Sequence, residues 1–179
     1  MSKILEIKDL VIDFHSERGA TRAVDGLSLH LDRGETLGIV GESGSGKSVT
    51  ALSVMRLLPQ PAAKMTRGEI WYDTGNAPVN LLTLPDPAMQ RIRGADIAMI
   101  FQEPMTSLNP VFRCGHQVTE ALQLHRKLNF SAAKEVTLQL FEQVKLPDPA
   151  RIFNAYPHQI SSKKKQRVMI AMAMSCNPQ

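Results

Sequence analysis

Three observations predict an α/β fold built around a phosphate-binding loop. Gly41-Glu42-Ser43-Gly44-Ser45-Gly46-Lys47-Ser48 has the spacing G-x-x-x-x-G-K-S. The apolar run Thr36-Leu37-Gly38-Ile39-Val40, of buried-strand type, leads into it. Ser48 to Leu58 leads out, with Val49, Leu52, Val54, Met55 and Leu58 at helical spacing. Strand, glycine-rich turn and helix, in that order, are what anion binding needs. The glycines let the backbone curl around a phosphate, and consecutive N–H groups then point inward at a helix N-terminus. In that geometry Lys47 reaches the β- and γ-phosphates and the Ser48 hydroxyl ligates Mg²⁺. A nucleoside triphosphate is therefore the expected ligand.

Bulk properties narrow the class. The chain has 179 residues, enough for one domain with a core, and at 43% hydrophobic and 21% charged it is globular rather than disordered. A net charge of +4 suits a phosphate ligand or an acidic membrane face. No basic stripe interleaved with aromatics supports nucleic-acid binding. Cys114 and Cys176 read as free, cytosolic thiols, and the scattered histidines have no metal-ligand spacing. No signal peptide is expected at the N-terminus, and no apolar run approaches the ~20 residues of a membrane span, so any membrane association is expected through a partner.

The elements follow in order. Ile4 to Phe14 alternates as a strand, Ser16 to Ala20 turns, and Thr21 to Leu31 is a second strand. Two antiparallel strands ahead of a phosphate loop suggest a β subdomain placed over the nucleotide base. Phe14 either stacks on that base or fills the core at a strand end; pattern alone favours the core. Pro59 to Arg67 breaks the first helix. Gly68 to Asp73 and Val79 to Leu82 are strands, and Pro85 to Arg93 is a short helix. Asp96 to Phe101 is another apolar strand, ending on Gln102. A polar residue at the carboxyl end of a buried strand sits where α/β sheets meet ligands, so Gln102 touches Mg²⁺ or an attacking water, or else simply ends the strand. Gly115 to Lys127 is helical, Ser131 caps a helix over Ala132 to Val144, Pro147-Asp148-Pro149 ends it, Tyr156 to Ser161 turns, and Lys165 to Cys176 is the last helix.

Gly41 to Ser48, Gln102 in Ile-Phe-Gln-Glu-Pro, and Tyr156-Pro157-His158-Gln159-Ile160-Ser161 fall in the order and spacing of an ABC-transporter ATPase. The chain resembles that family along nearly its whole length. Arg33 to Ser48, Met99 to Pro110 and Gln166 to Ala173 look like its dipeptide/oligopeptide/nickel importer branch. The resemblance implies a P-loop NTPase core, truncated, with an N-terminal antiparallel β subdomain and a helical subdomain. It divides the chain into residues 1–103, the β subdomain and P-loop core, and 104–179, the helical subdomain with the signature-loop region. ATP and Mg²⁺ are the implied cofactors. Phe14, Gly41 to Ser48, Val49 and Ser161 are the implied nucleotide contacts, Ser48 and Gln102 the metal contacts, and Gln102 the γ-phosphate sensor. The implied partners are permease subunits, docked on the helical subdomain, and a second ATPase domain arranged head to tail. The implied place is the cytoplasmic face of the inner membrane, as a peripheral subunit taking up peptides or glutathione-like solutes.

Two departures qualify this. The branch's signature, Leu-Ser-Gly-Gly-Met-Arg-Gln-Arg, reads here Ile160-Ser161-Ser162-Lys163-Lys164-Lys165-Gln166-Arg167. A lysine where glycine allows close approach is expected to obstruct the partner's γ-phosphate, although three lysines could also attract it or simply stay solvated. Further, no apolar strand ending in a suitable carboxylate is found. Asp73 belongs to the β subdomain by order, and Asp96 starts its strand. The family's Mg²⁺-binding Asp, catalytic Glu and switch His are not assigned, the core is expected to be incomplete, and the chain alone is expected not to hydrolyse ATP. The alternative reading is a hydrolysis-deficient remnant that binds only nucleotide or a partner subunit.

Overall fold

The structure is a computed structural model describing residues 2–17, 19–101 and 107–178. Gln102 and the expected subdomain boundary at 103–104 lie outside the described residues. The chain forms two compact units, Met1–Met89 and Gln90–Gln179.

The first unit is a four-stranded antiparallel sheet with the phosphate loop and one helix. Strands β1 (Lys3–Ser16), β2 (Gly19–Asp32), β3 (Ala63–Asp73) and β4 (Pro78–Asn80) lie in the order β2-β1-β3-β4. The central strand β1 pairs Phe14 with Thr21 of β2 on one side and with Ala63 of β3 on the other. Its apolar residues Ile7, Leu10 and Ile12 are almost wholly buried, beside Ile70 of β3. The alternation seen in the sequence is broken at several register shifts along β1, and both pairings shift across Asp9, whose φ is 47°. Gly68 of β3 meets this bulge with φ +113°, and a Cβ there would lie 2.6 Å from the Leu10 Cα. Only glycine fits that crossing.

Helix α1 spans Lys47–Val54. The expected helix to Leu58 stops short because Arg56 takes a left-handed φ of 50°. There its guanidinium donates to the Leu84 carbonyl at 2.6 Å and to Asp86 at 3.0 Å. The chain then enters β3 at Ala63, earlier than expected. Helix α2 covers Asp86–Ile92.

Two expected strands are corrected. Thr36 to Val40 has no strand conformation, and Leu37, Ile39 and Val40 are 42%, 51% and 94% exposed. Asp96 to Phe101 shows only one isolated bridge, Arg93 to Ile97. A strand is held by its ladder, and among the described residues neither run has a neighbouring strand.

The second unit is helical. Helices α3 (Cys114–Arg126), α4 (Phe130–Gln143), α5 (Pro149–Asn154) and α6 (Ser162–Met174) surround Val118, Leu122, Phe141, Ile152, Phe153 and Val168. The α4 cap is Asn129, not Ser131: its side chain accepts from the Ala132 N–H, which starts the helix two residues earlier than expected. Helix α5 was missed in the sequence because Pro147 and Pro149 read as a stop. Pro149 instead sits at its start, and the Asp148 carboxylate caps the Arg151 N–H. A single 3₁₀ turn at Pro157–Gln159 precedes α6.

Candidate functional site

The loop between Gly41 and Ser48 closes on itself through short local contacts. The Ser45 N–H donates to the Glu42 carbonyl at 3.2 Å. Gly46 takes φ 88° and ψ −2°, a left-handed conformation that aims the following N–H groups into the loop and begins α1. Thr50, one turn on, holds the Gly46 carbonyl through both its N–H (2.8 Å) and its hydroxyl (3.0 Å). Gly46 is also pressed on β2: a Cβ there would lie 2.6 Å from the Ala23 carbonyl oxygen and 3.3 Å from a Val24 methyl.

The Lys47 ammonium lies in the mouth of the loop. It donates to the carbonyls of Gly41 and Glu42, each at 2.7 Å, and to the Ser45 hydroxyl at 3.1 Å. Among the described residues it makes no ion pair, so dipoles solvate its charge and no anion balances it. A cleft of about 600 Å³ opens beside it, lined by Val24, Leu27, Ile39, Gly41, Lys47 and Thr50 among others. An uncompensated cation, a curled backbone and a helix N-terminus facing an open cleft can hold a polyanion. Ser48, the second residue of α1, is exposed. Its hydroxyl is a hard oxygen donor and fits Mg²⁺, which takes oxygen ligands and keeps waters beside phosphates. No group of three His, Cys, Asp or Glu that could hold a metal by itself occurs among the described residues.

Not every expected residue gathers there. Phe14 is half-buried near the end of β1 and does not line the cleft. Val49 is half-buried on α1, also outside the lining, and Glu42, Ser43 and Gly44 are exposed on the loop. Ser161 belongs to the second unit, where it is the exposed N-cap residue of α6 with no capping bond from its side chain. The three lysines that follow differ among themselves. Lys163 is exposed, Lys164 half-buried, and Lys165 only 9% exposed. Lys165 is therefore not solvated. Its charge acts on the buried Cys114 thiol, whose pKa burial nonetheless pushes up to about 11. What sequence reasoning missed at the loop is its backing: Ala23 and Val24 of β2, and the Thr50 hydroxyl. Thr50 could have been found, since it follows Gly46 by one helical turn. The β2 contacts have no signature in spacing.

The family model described as ABC transporter matches residues 24–179. The oligopeptide transport ATP-binding protein OppD of Bacillus subtilis is 47% identical over 178 residues, 99% of this chain and 49% of its own length. The glutathione import ATP-binding protein GsiA of Salmonella choleraesuis is 51% identical over 176 residues, 98% of this chain and 28% of its own length. The chain thus spans about half, or less, of the curated relatives it matches. Among solved structures, the dimeric post-hydrolysis state of the ATP-binding cassette MJ0796, bound to ADP and Pi, superposes with a TM-score of 0.84 at 26% identity. That match covers 97% of this chain and 70% of the other.

Proposed function

Because the chain belongs to the ABC transporter family, we propose that it is the N-terminal part of an ATP-binding subunit of an importer for peptides or glutathione-like solutes. The observation that carries this reading is the Gly41–Ser48 loop, closed around an ammonium that has no carboxylate partner among the described residues, and opening on a cleft beside α1. Gly41 to Ser48 would wrap the phosphates of ATP, Lys47 would pair with the terminal ones, and Val49 would follow in the first turn of α1. Ser48 would give Mg²⁺ one oxygen, joined in this reading by Gln102; the metal supplies charge neutralisation across the phosphates when bound. Phe14 is proposed to stack on the base. Ser161, with the N-terminus of α6, is proposed to face the nucleotide of a second ATPase domain arranged head to tail. Relatives named for oligopeptide and glutathione import support permease subunits as partners and the cytoplasmic face of the membrane as the place of action. No helix among the described residues is long and apolar enough to cross a membrane, so a peripheral position through the permease is part of the proposal.

A narrower reading, binding without hydrolysis, is favoured by the start of α6. Exposed Lys163 stands where the signature loop of the family has glycine, and a side chain there obstructs a backbone approach to phosphate. One experiment addresses both readings: the thermal midpoint of the chain with and without ATP and Mg²⁺, and phosphate release, each beside Lys47→Ala. A ligand that binds only the folded state raises its midpoint, by about 2.7 kcal/mol of stability at a hundredfold excess over Kd. The expected result is a shift abolished by Lys47→Ala and no phosphate release. A cooperative melt with no shift defeats the nucleotide reading. Lys47-dependent release defeats the narrower one.

A further inference from the structure

The contacts of Lys47 assign a task to a side chain that the loop motif itself leaves free. The motif fixes glycines, a lysine and a hydroxyl at its end; position 45 may be any residue. Here Ser45 supplies the third acceptor of the Lys47 ammonium, after the carbonyls of Gly41 and Glu42. An ammonium has three protons, so these three acceptors saturate it. They are not equivalent. The two carbonyls belong to the loop backbone and accept at 2.7 Å, and the Glu42 carbonyl is further fixed by the Ser45 N–H. The hydroxyl accepts at 3.1 Å, the longest of the three, and turns about a single bond.

Its place is also shaped by its surroundings. A Cβ on Gly41 would lie 2.6 Å from the Ser45 Oγ, so the hydroxyl occupies space that any side chain at position 41 would take. We propose that Ser45 is a positioning residue: its hydroxyl holds the Lys47 ammonium at the mouth of the empty loop and is the acceptor that the ammonium exchanges for an incoming phosphate oxygen. The carbonyls keep the lysine anchored through the exchange. The third N–H is already aimed, so a phosphate meets an oriented donor instead of a free lysine chain whose rotamers must be frozen on binding. This rests on the reading of the loop as a triphosphate site.

The test reads Lys47 directly. The nucleotide-free chain is trace-labelled with an amine-acylating reagent, and the rate at Lys47 is compared by mass spectrometry with the rates at the other lysines. Ser45→Ala is expected to raise the Lys47 rate about three- to tenfold, the size of one lost hydrogen bond, and to raise the ATP dissociation constant by a similar factor. Ser45→Thr, which keeps the hydroxyl, is expected to restore both. Gly41→Ala, which displaces the hydroxyl, is expected to raise the Lys47 rate as Ser45→Ala does. An unchanged Lys47 rate in Ser45→Ala overturns the proposal. So does an equal rise in Ser45→Ala and Ser45→Thr, because packing rather than the hydroxyl would then be responsible. If ATP fails to protect Lys47 in the unaltered chain, the triphosphate reading falls and the exchange falls with it, while the labelling without nucleotide still decides whether Ser45 holds the lysine.

Discussion

Gly46 joins the loop to the sheet, and its two constraints act together. Its φ of +88° is one that a side chain adopts at a strain of about 1–3 kcal/mol. The space a Cβ would need is filled by the Ala23 carbonyl at 2.6 Å, a backbone atom that cannot turn aside. Gly46→Ala is therefore expected to lower the stability of the first unit by at least that strain and to abolish the ATP-induced rise in midpoint. A chain with unaltered urea midpoint and unaltered ATP shift would refute this. The loop was legible from the sequence because its demands are local: glycines where the backbone curls, lysine and serine where the helix starts. The contact with Ala23 was not, because it arises only when a strand distant in sequence packs behind the loop. The cap of α4 shows the same limit at close range. Asn129 and Ser131 are both good caps in composition, and only the Asn129 bond to the Ala132 N–H separates them.

At the scale of elements, the two inner strands of the sheet carry carboxylates held in charged form. The Arg22 guanidinium, hydrogen-bonded at 3.0 Å, keeps Asp13 below the ordinary carboxylate range. Lys3 does the same for Glu6, and the Gly75 N–H, then Arg33, for Asp73. These groups bind fewer protons folded than unfolded. Their contribution is complete above the ordinary carboxylate pKa of about 4 and disappears as pH falls through their lower folded values. Urea titrations followed by Trp71 fluorescence, run from about pH 6 to about pH 3, are expected to show the midpoint falling below about pH 4. Asp13→Asn should flatten part of that fall; an equally steep fall in the variant would remove Asp13 from the account. Strands β1 and β3 were legible by their buried apolar residues, Ile7, Leu10 and Ile12 in the one and Ile70 and Tyr72 in the other, whereas β2 buries only Val24 and was legible by its alternating leucines. The boundaries moved where a tertiary bond intervened, as at Arg56, which ends α1 to reach Leu84 and Asp86.

For the whole chain, the point where sequence and structure part is Thr36 to Val40. Its composition is that of a strand buried on both faces, and composition is all that a sequence displays. A ladder needs a neighbour, and the described residues provide none, so Leu37, Ile39 and Val40 stay exposed. Exposed apolar runs of this kind pair with one another. Self-association rising with concentration is expected in sedimentation, and Ile39→Lys is expected to reduce it; equal association in the two would clear the segment of responsibility. The phosphate loop was legible, because one motif carries it; the burial of Lys165 at the start of α6 was not, because nothing in a run of three lysines marks the one that packs inward. The sheet order carries a kinetic consequence. Strands β1 and β2 lie only two residues apart in the chain, whereas β3 must return across residues 33–62, the stretch that holds the phosphate loop and α1. Closing that long stretch is the slower event, so the hairpin forms first and the loop is finished last. A ligand gripping the loop would then find nothing to hold until the rate-limiting step had passed, and would lengthen the lifetime of the folded chain without hastening its birth.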